Sequence, residues 1–256
     1  MPQWSVLKRL LKKALSKAGY EVFNSRYHHA RDELYTNNHP RFMDDAAFQL
    51  AYQRGVAASQ GVNPGFHWRV HIALWAAELA SRVPGDFVEC GVNAGFVSSA
   101  IMQHLDWRRQ HRQYYLIDTF AGPPLHQYSA AEVADGRADL AREAEARGAY
   151  VKDLERLAAT FAEWPNALLV PGLIPEVLPG LATTQVAFLH IDLNCALPER
   201  EALRHFWKLM KPGAVILLDD YCYQGHGAQA DAIDAVAIEI GANVLGLPTG
   251  QGLIVR

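Results

Sequence analysis

"GDFVECGVNAGFVSSA" (residues 85–100) is the stretch whose reading decides the fold. "DFVEC" is a short apolar run of the kind that forms a buried strand. Gly91 and Gly95 then allow a tight turn and close backbone approach, and "FVSSA" opens a segment of helical period. A strand, a glycine turn and a helix in succession begin a doubly wound α/β sheet. Working outward, "QYYLIDTF" (113–120), "NALLVPG" (166–172), "QVAFLHID" (185–192) and "AVILLDD" (214–220) are runs of the same kind. Helical-period segments at 96–105, 151–162 and 198–210 separate them. Such alternation predicts a mostly parallel sheet covered by helices on both faces. The end, "GANVLGLPTGQGLIVR" (241–256), holds two short strands around "LPTGQG", which predicts a closing hairpin.

The bulk composition narrows the class. The chain has 256 residues, half of them hydrophobic, enough for one large domain with a substantial core. A net charge of −3 argues against a general nucleic-acid binder. Cys90, Cys195 and Cys222 share no CxxC spacing and suit a reducing compartment. The sequence offers no apolar stretch near the ~20 residues of a membrane span. Lysines interrupt the early apolar residues, unlike a secretory signal. The expected location is cytoplasmic.

Charge is uneven at one place. "MPQWSVLKRLLKKALSKAGY" (1–20) has five basic residues and no acidic one. Trp4, Leu7, Leu11, Leu15 and Ala18 recur at helical spacing, predicting an amphipathic helix over about 4–18. Two readings stay open: peripheral contact with the inner face of the membrane, or docking on the protein itself or on a partner copy in a homo-oligomer. The expected organisation is a helical extension over 1–60 and a main domain over 61–256. "NPGFHWRVHIALWAAELASRV" (63–83) reads as a helix, and 125–150 as a polar helical insertion.

Ligands of such folds sit beyond the carboxyl ends of the strands. Here those ends carry Glu89 and Gly91, Asp118, Gly172, Asp192, and the adjacent Asp219 and Asp220. A dinucleotide fingerprint would need GxGxxG, and residues 91–95 give only GxxxG. Glu89 would also repel a pyrophosphate. It would welcome the sulfonium and ammonium of S-adenosylmethionine, while Asp118 can accept hydrogen bonds from ribose hydroxyls. Glu89, Gly91, Asn93, Gly95, Ser98 and Asp118 are therefore the candidate cofactor residues.

These residues also carry a resemblance. "GDFVECGVNAGFVSSA", "LIDTFAGPP" (116–124), "LHID" (189–192) and "LLDDY" (217–221) are similar to the macrocin O-methyltransferase (TylF-type) family of class I S-adenosylmethionine-dependent methyltransferases, over about 84–240. The resemblance implies a seven-stranded sheet with the last strand antiparallel. It further implies a divalent metal, usually Mg²⁺, and methylation of a sugar hydroxyl on a natural product.

That family carries metal-binding aspartates at the positions of Asp192, Asp219 and Asp220. Neighbouring parallel strands lie ~4.8 Å apart, so carboxylates at their ends can converge on one ion, and hard oxygen donors suit Mg²⁺. Metal-held Asp192 would then belong to the catalytic set. Relatives typically read DxDxYxST where this chain reads "DLNCALPE" (192–199). Asn194 replaces an acidic residue, and Cys195 stands where catechol-type enzymes have lysine. A neutral amide cannot take a proton, so His226, in the glycine-flanked loop "YQGHG" (223–227), is the candidate base. Trp68, Trp107, Trp164 and Tyr128 are candidate stacking residues, although Trp68 and Trp75 at helical spacing also suit a core.

The expected activity is methyl transfer to a small-molecule hydroxyl. Two alternatives remain from sequence: a degenerate domain with a membrane-surface or assembly role, and a nucleotide-binding oxidoreductase.

Overall fold

Apolar runs bounded by polar residues become strands, and the residues that cap the intervening segments start the helices. The computed structural model describes residues 3–20, 29–31, 34–36 and 38–256. In chain order these form α1 (Gln3–Lys17), β1 (His29–Arg31), β2 (Leu34–Thr36), α2 (Ala46–Ala58), α3 (His67–Ser81), β3 (Asp86–Cys90), α4 (Phe96–His104), β4 (Tyr114–Asp118), α5 (Ala130–Ala134), α6 (Arg137–Ala146), α7 (Leu154–Phe161), β5 (Ala167–Pro171), β6 (Val186–Ile191), α8 (Ala196–Trp207), β7 (Met210–Leu218), α9 (Gly227–Ile240), β8 (Leu245–Gly246) and β9 (Gly252–Val255). The Asp45 side chain accepts the Ala47 amide to start α2. Ser129 and Glu132 form a reciprocal capping box on α5.

Seven strands make one sheet in the order β5-β4-β3-β6-β7-β9-β8. Pairing is parallel from β5 to β7, and β9 runs antiparallel to both β7 and β8. The seven-stranded sheet with its antiparallel last strand is as the family resemblance implies, and the closing hairpin is as the sequence predicts. The pair β1–β2 was not foreseen. From β3 the chain winds outward through β4 and β5, then returns to lay β6 on the other side of β3. The gap beyond the ends of β3 and β6 is thus the topological switch point, where open α/β sheets bind ligands.

Each central strand is buried on both faces, so its side chains sort by alternation. Phe87, Phe188, Val215 and Leu217 share a core with α2, α3 and α4. Val88, Cys90, Leu189, Ile191, Ile216 and Leu218 meet α8 and α9 on the other side. Burying each large side chain such as Phe87 or Phe188 contributes ~1.5–3 kcal/mol. Helix α3 presents Ala73, Ala76, Ala77 and Ala80 to this core. Trp107 and Trp164 are buried in the same core, so they are packing residues and cannot stack on a ligand. Trp75, by contrast, is 51 % exposed.

Candidate active site

Alternation along β3 and β6 puts two polar side chains on the face of Phe87 and Phe188. Glu89 pairs in register with His190, and both are buried. His190 Nδ1 lies 3.1 Å from Glu89 Oε1, and its Nε2 lies 3.8 Å from Asp219 Oδ1. The first contact is a hydrogen bond and the second an ion pair. Burial alone would keep the imidazole neutral. The two carboxylates outweigh it and push His190 up to about 10. Glu89 Oε2 is buried without a hydrogen-bond partner. Glu89 also lines a cavity of about 220 Å³ with Gly91, Arg69, Asp192 and Gln251. A carboxyl group with one orphaned oxygen, on a residue of the cavity wall, fits a cationic ligand group.

Gly91 has φ +92°, and a Cβ there would sit 1.7 Å from the Asp192 carbonyl oxygen. The glycine thus lets the turn after β3 touch the end of β6. Gly95 (φ +76°) serves packing, since a Cβ would meet the Phe161 ring at 2.4 Å. Asp118 Oδ2 accepts the amides of Val92 at 2.8 Å and Asn93 at 2.9 Å, and its Oδ1 accepts the Phe120 amide at 2.8 Å. The expected ribose acceptor therefore also clamps the glycine turn to the end of β4. Asn93 spends its side chain on Ala149 O and Val151 N, holding the segment after α6. A second cavity, about 110 Å³, lies against Asp118, Pro123, Pro124, Tyr128 and Gly172. The two cavities share Gly91, Asn93 and Asp192. Ser98 is buried within α4 and lines neither of them.

The aspartates gather at an open cleft that also holds Arg69, Arg137, Asn194, Tyr223 and His226. Arg69, from α3, reaches Asp219 Oδ2 at 2.5 Å and Asp220 Oδ1 at 3.4 Å. Gln251 Nε2 donates to Asp219 Oδ1 at 2.9 Å, and Asn194 Nδ2 to Asp192 Oδ1 at 3.1 Å. Burial tends to raise the Asp219 carboxyl, but Arg69 and His190 hold it low. Asp192 goes the other way: burial, then the charges of Asp219 and Asp220, push it well up. His226 is buried, with Nδ1 3.2 Å from Asp220 Oδ2.

This donor set does not fit the expected Mg²⁺ as folded. The guanidinium of Arg69 stands where a divalent ion would neutralise Asp219 and Asp220, and side-chain amides occupy oxygens of Asp192 and Asp219. Among the described residues no group of three or more His, Cys, Asp or Glu could hold a metal ion. The contacts of Asp192, Asp219 and Asp220 thus lend the expected metal-bound triad no support. The carboxylates do converge, and an arginine meets their charge.

Three of these residues escaped the sequence reading. Arg69 is the only Arg or Lys in α3, a signal that could have singled it out. Gln251 comes from the closing hairpin. Arg137 comes from the insertion, with Nη2 3.4 Å from Asn194 Oδ1. Glu132 ties that insertion down by accepting the Ala196 amide at 2.8 Å.

The sequence profile of a family described as "Methyltransferase domain" matches residues 88–221, just over half of the chain. The chain belongs to the methyltransferase-domain family. The matched part of this methyltransferase domain runs from β3 to the residue after Asp220, and so takes in Glu89, Asp118, Asp192 and both adjacent aspartates. A curated relative is the 8-demethyl-8-(2,3-dimethoxy-alpha-L-rhamnosyl)-tetracenomycin-C 4'-O-methyltransferase of Streptomyces olivaceus, 29% identical over 154 residues. The match covers 56% of this chain and 55% of that protein, so the chain spans about half the length of that relative. Among solved structures, the O-methyltransferase NovP has TM-score 0.62 at 18% identity, covering 98% of both chains. Calicheamicin methyltransferase CalS11 has TM-score 0.61 at 19% identity, covering 85% of this chain and 93% of that one. Likeness at these identities is likeness of fold.

Proposed function

We propose that the chain is an S-adenosylmethionine-dependent O-methyltransferase of the macrocin type, acting on a hydroxyl of a sugar or glycosylated metabolite. The observation that carries this reading is the meeting of two spaces at one group of residues. The cavity walled by Glu89 and Gly91 and the cleft holding Asp220 and His226 share Arg69, Asp192 and Asp219. A donor and an acceptor lying on either side would meet there. The Streptomyces relative is named for O-methylation of a rhamnosyl-bearing compound, which supports a glycosylated acceptor.

S-adenosylmethionine, when bound, supplies an electrophilic methyl group on a sulfonium. Glu89, Gly91 and Asp118 would hold it, Glu89 through the orphaned Oε2. His226 turns Nδ1 toward Asp220, which leaves Nε2 to take the proton of an acceptor hydroxyl. Asn194, being a neutral amide, orients Asp192 and does not accept that proton. The remaining task is to hold the two reactants in line and exclude water, which is worth more here than acid–base strength.

Isothermal titration with S-adenosylmethionine, followed by mass-detected transfer to rhamnosylated acceptors, tests the reading. The expected result is saturable binding lost in Glu89→Gln. His226→Gln should keep the affinity and lower kcat by roughly 100-fold. No binding to the wild-type protein overturns the function. Undiminished kcat in the His226 variant removes only that residue from the reaction.

A further inference from the structure

We infer that α1 is a surface anchor for an anionic phospholipid bilayer. The helix spans Gln3–Lys17 and carries Lys8, Arg9, Lys12, Lys13 and Lys17 with no acidic residue. At 100° per residue, Leu7, Leu10, Leu11 and Ala14 fall on one face. Lys8 and Lys17 border that face on either side, and Arg9 and Lys12 lie opposite. Leu7, Leu10 and Leu11 are 59 %, 59 % and 58 % exposed. A leucine stripe left in water and flanked by lysines is the pattern of a helix lying in the headgroup plane.

Other occupants fit less well. A 15-residue helix is ~22 Å long, short of the ~30 Å hydrocarbon core, and among the described residues no helix is long and apolar enough to cross a membrane. A second copy of α1 would set five positive charges against five, with no carboxylate on either helix to pair them. Anionic headgroups match the lysines, and acyl chains match the leucines. The whole chain is net −3, so the remainder of the protein is acidic. An anionic surface would repel that remainder and hold the protein by α1 alone.

The test is co-sedimentation of the full chain with phosphatidylcholine vesicles, with and without one-third phosphatidylglycerol, at low and high salt. Binding only to the anionic vesicles, weakened by salt, is the expected result. Lys8→Glu/Lys12→Glu and Leu7→Ala/Leu10→Ala/Leu11→Ala should each weaken it by at least about tenfold. All three leucines are exposed, so melting temperature should match wild type and exclude misfolding as the cause. Failure to bind anionic vesicles overturns the inference. So does a leucine variant that binds like wild type, or one that changes oligomeric state while no vesicle binding is seen.

Discussion

His190 is the buried link between Glu89 and Asp219, hydrogen-bonded to Glu89 at 3.1 Å. One imidazolium thus balances a carboxylate in the cavity wall and another in the cleft. Its folded-state value, about 10, lies above the 6.5 of a free imidazole, so protonation favours the fold. The contribution is whole below pH 6.5 and is lost as pH rises through about 10. Glu199, raised by burial and by Asp220 from 4.5 to about 8, has the same sign but loses its share at lower pH. Urea unfolding between pH 8 and 10 should therefore show a fall of at most ~1.4 kcal/mol per pH unit from one proton. His190→Gln should flatten it. An unchanged slope in the variant would assign the titration elsewhere.

Gly91→Ala is expected to be among the most damaging single changes. The added Cβ would overlap the Asp192 carbonyl at φ +92°, forcing β3 and β6 apart at their ends. A loss of at least ~2 kcal/mol follows from strain and displacement together. Thermal unfolding measures it, and a stability within error of wild type would contradict the geometry.

Asp118→Ala leaves the amides of Val92, Asn93 and Phe120 without their acceptor. Hydrogen bonds to a charged group are worth ~1.5–3 kcal/mol each, although water will recover part at this half-buried position. The variant should lose both stability and S-adenosylmethionine affinity. Asp118→Asn, keeping one oxygen, should fall between. Equal losses for the two variants would mean that charge, and not acceptor number, is what matters.

Arg69→Ala removes the cation that faces Asp219 and Asp220. An uncompensated buried carboxylate group is costly, and a divalent ion is the readiest replacement. Mn²⁺ should therefore raise the melting temperature of the variant more than that of wild type. Equal shifts in the two proteins would show that the ion and the guanidinium do not compete for the carboxylates.

The sheet was legible because strands buried on both faces must be apolar throughout, so "VAFLHI" and "AVILL" stand out. Glu89, Asp118, Asp192 and the Asp219–Asp220 pair were legible for the complementary reason, as polar residues that end such runs. Arg69 was not. It lies 150 residues from Asp219 in sequence, and its role exists only once α3 lies on the sheet. Reading the aspartates without it left their charge unanswered. Trp107 and Trp164 were misjudged because a tryptophan in a polar stretch gives no sign of whether its ring faces inward.

Part of the rim of the site is carried on a segment of its own. Residues from Tyr128 to Tyr150 contribute Arg137 to the cleft and Tyr128 to a cavity, and Glu132 moors the segment to the start of α8. Glu89 and His190 belong instead to strands β3 and β6, and Gly91 to the turn that follows β3. An exchange of that segment could therefore redraw the rim without disturbing the sheet floor, giving one scaffold a replaceable mouth.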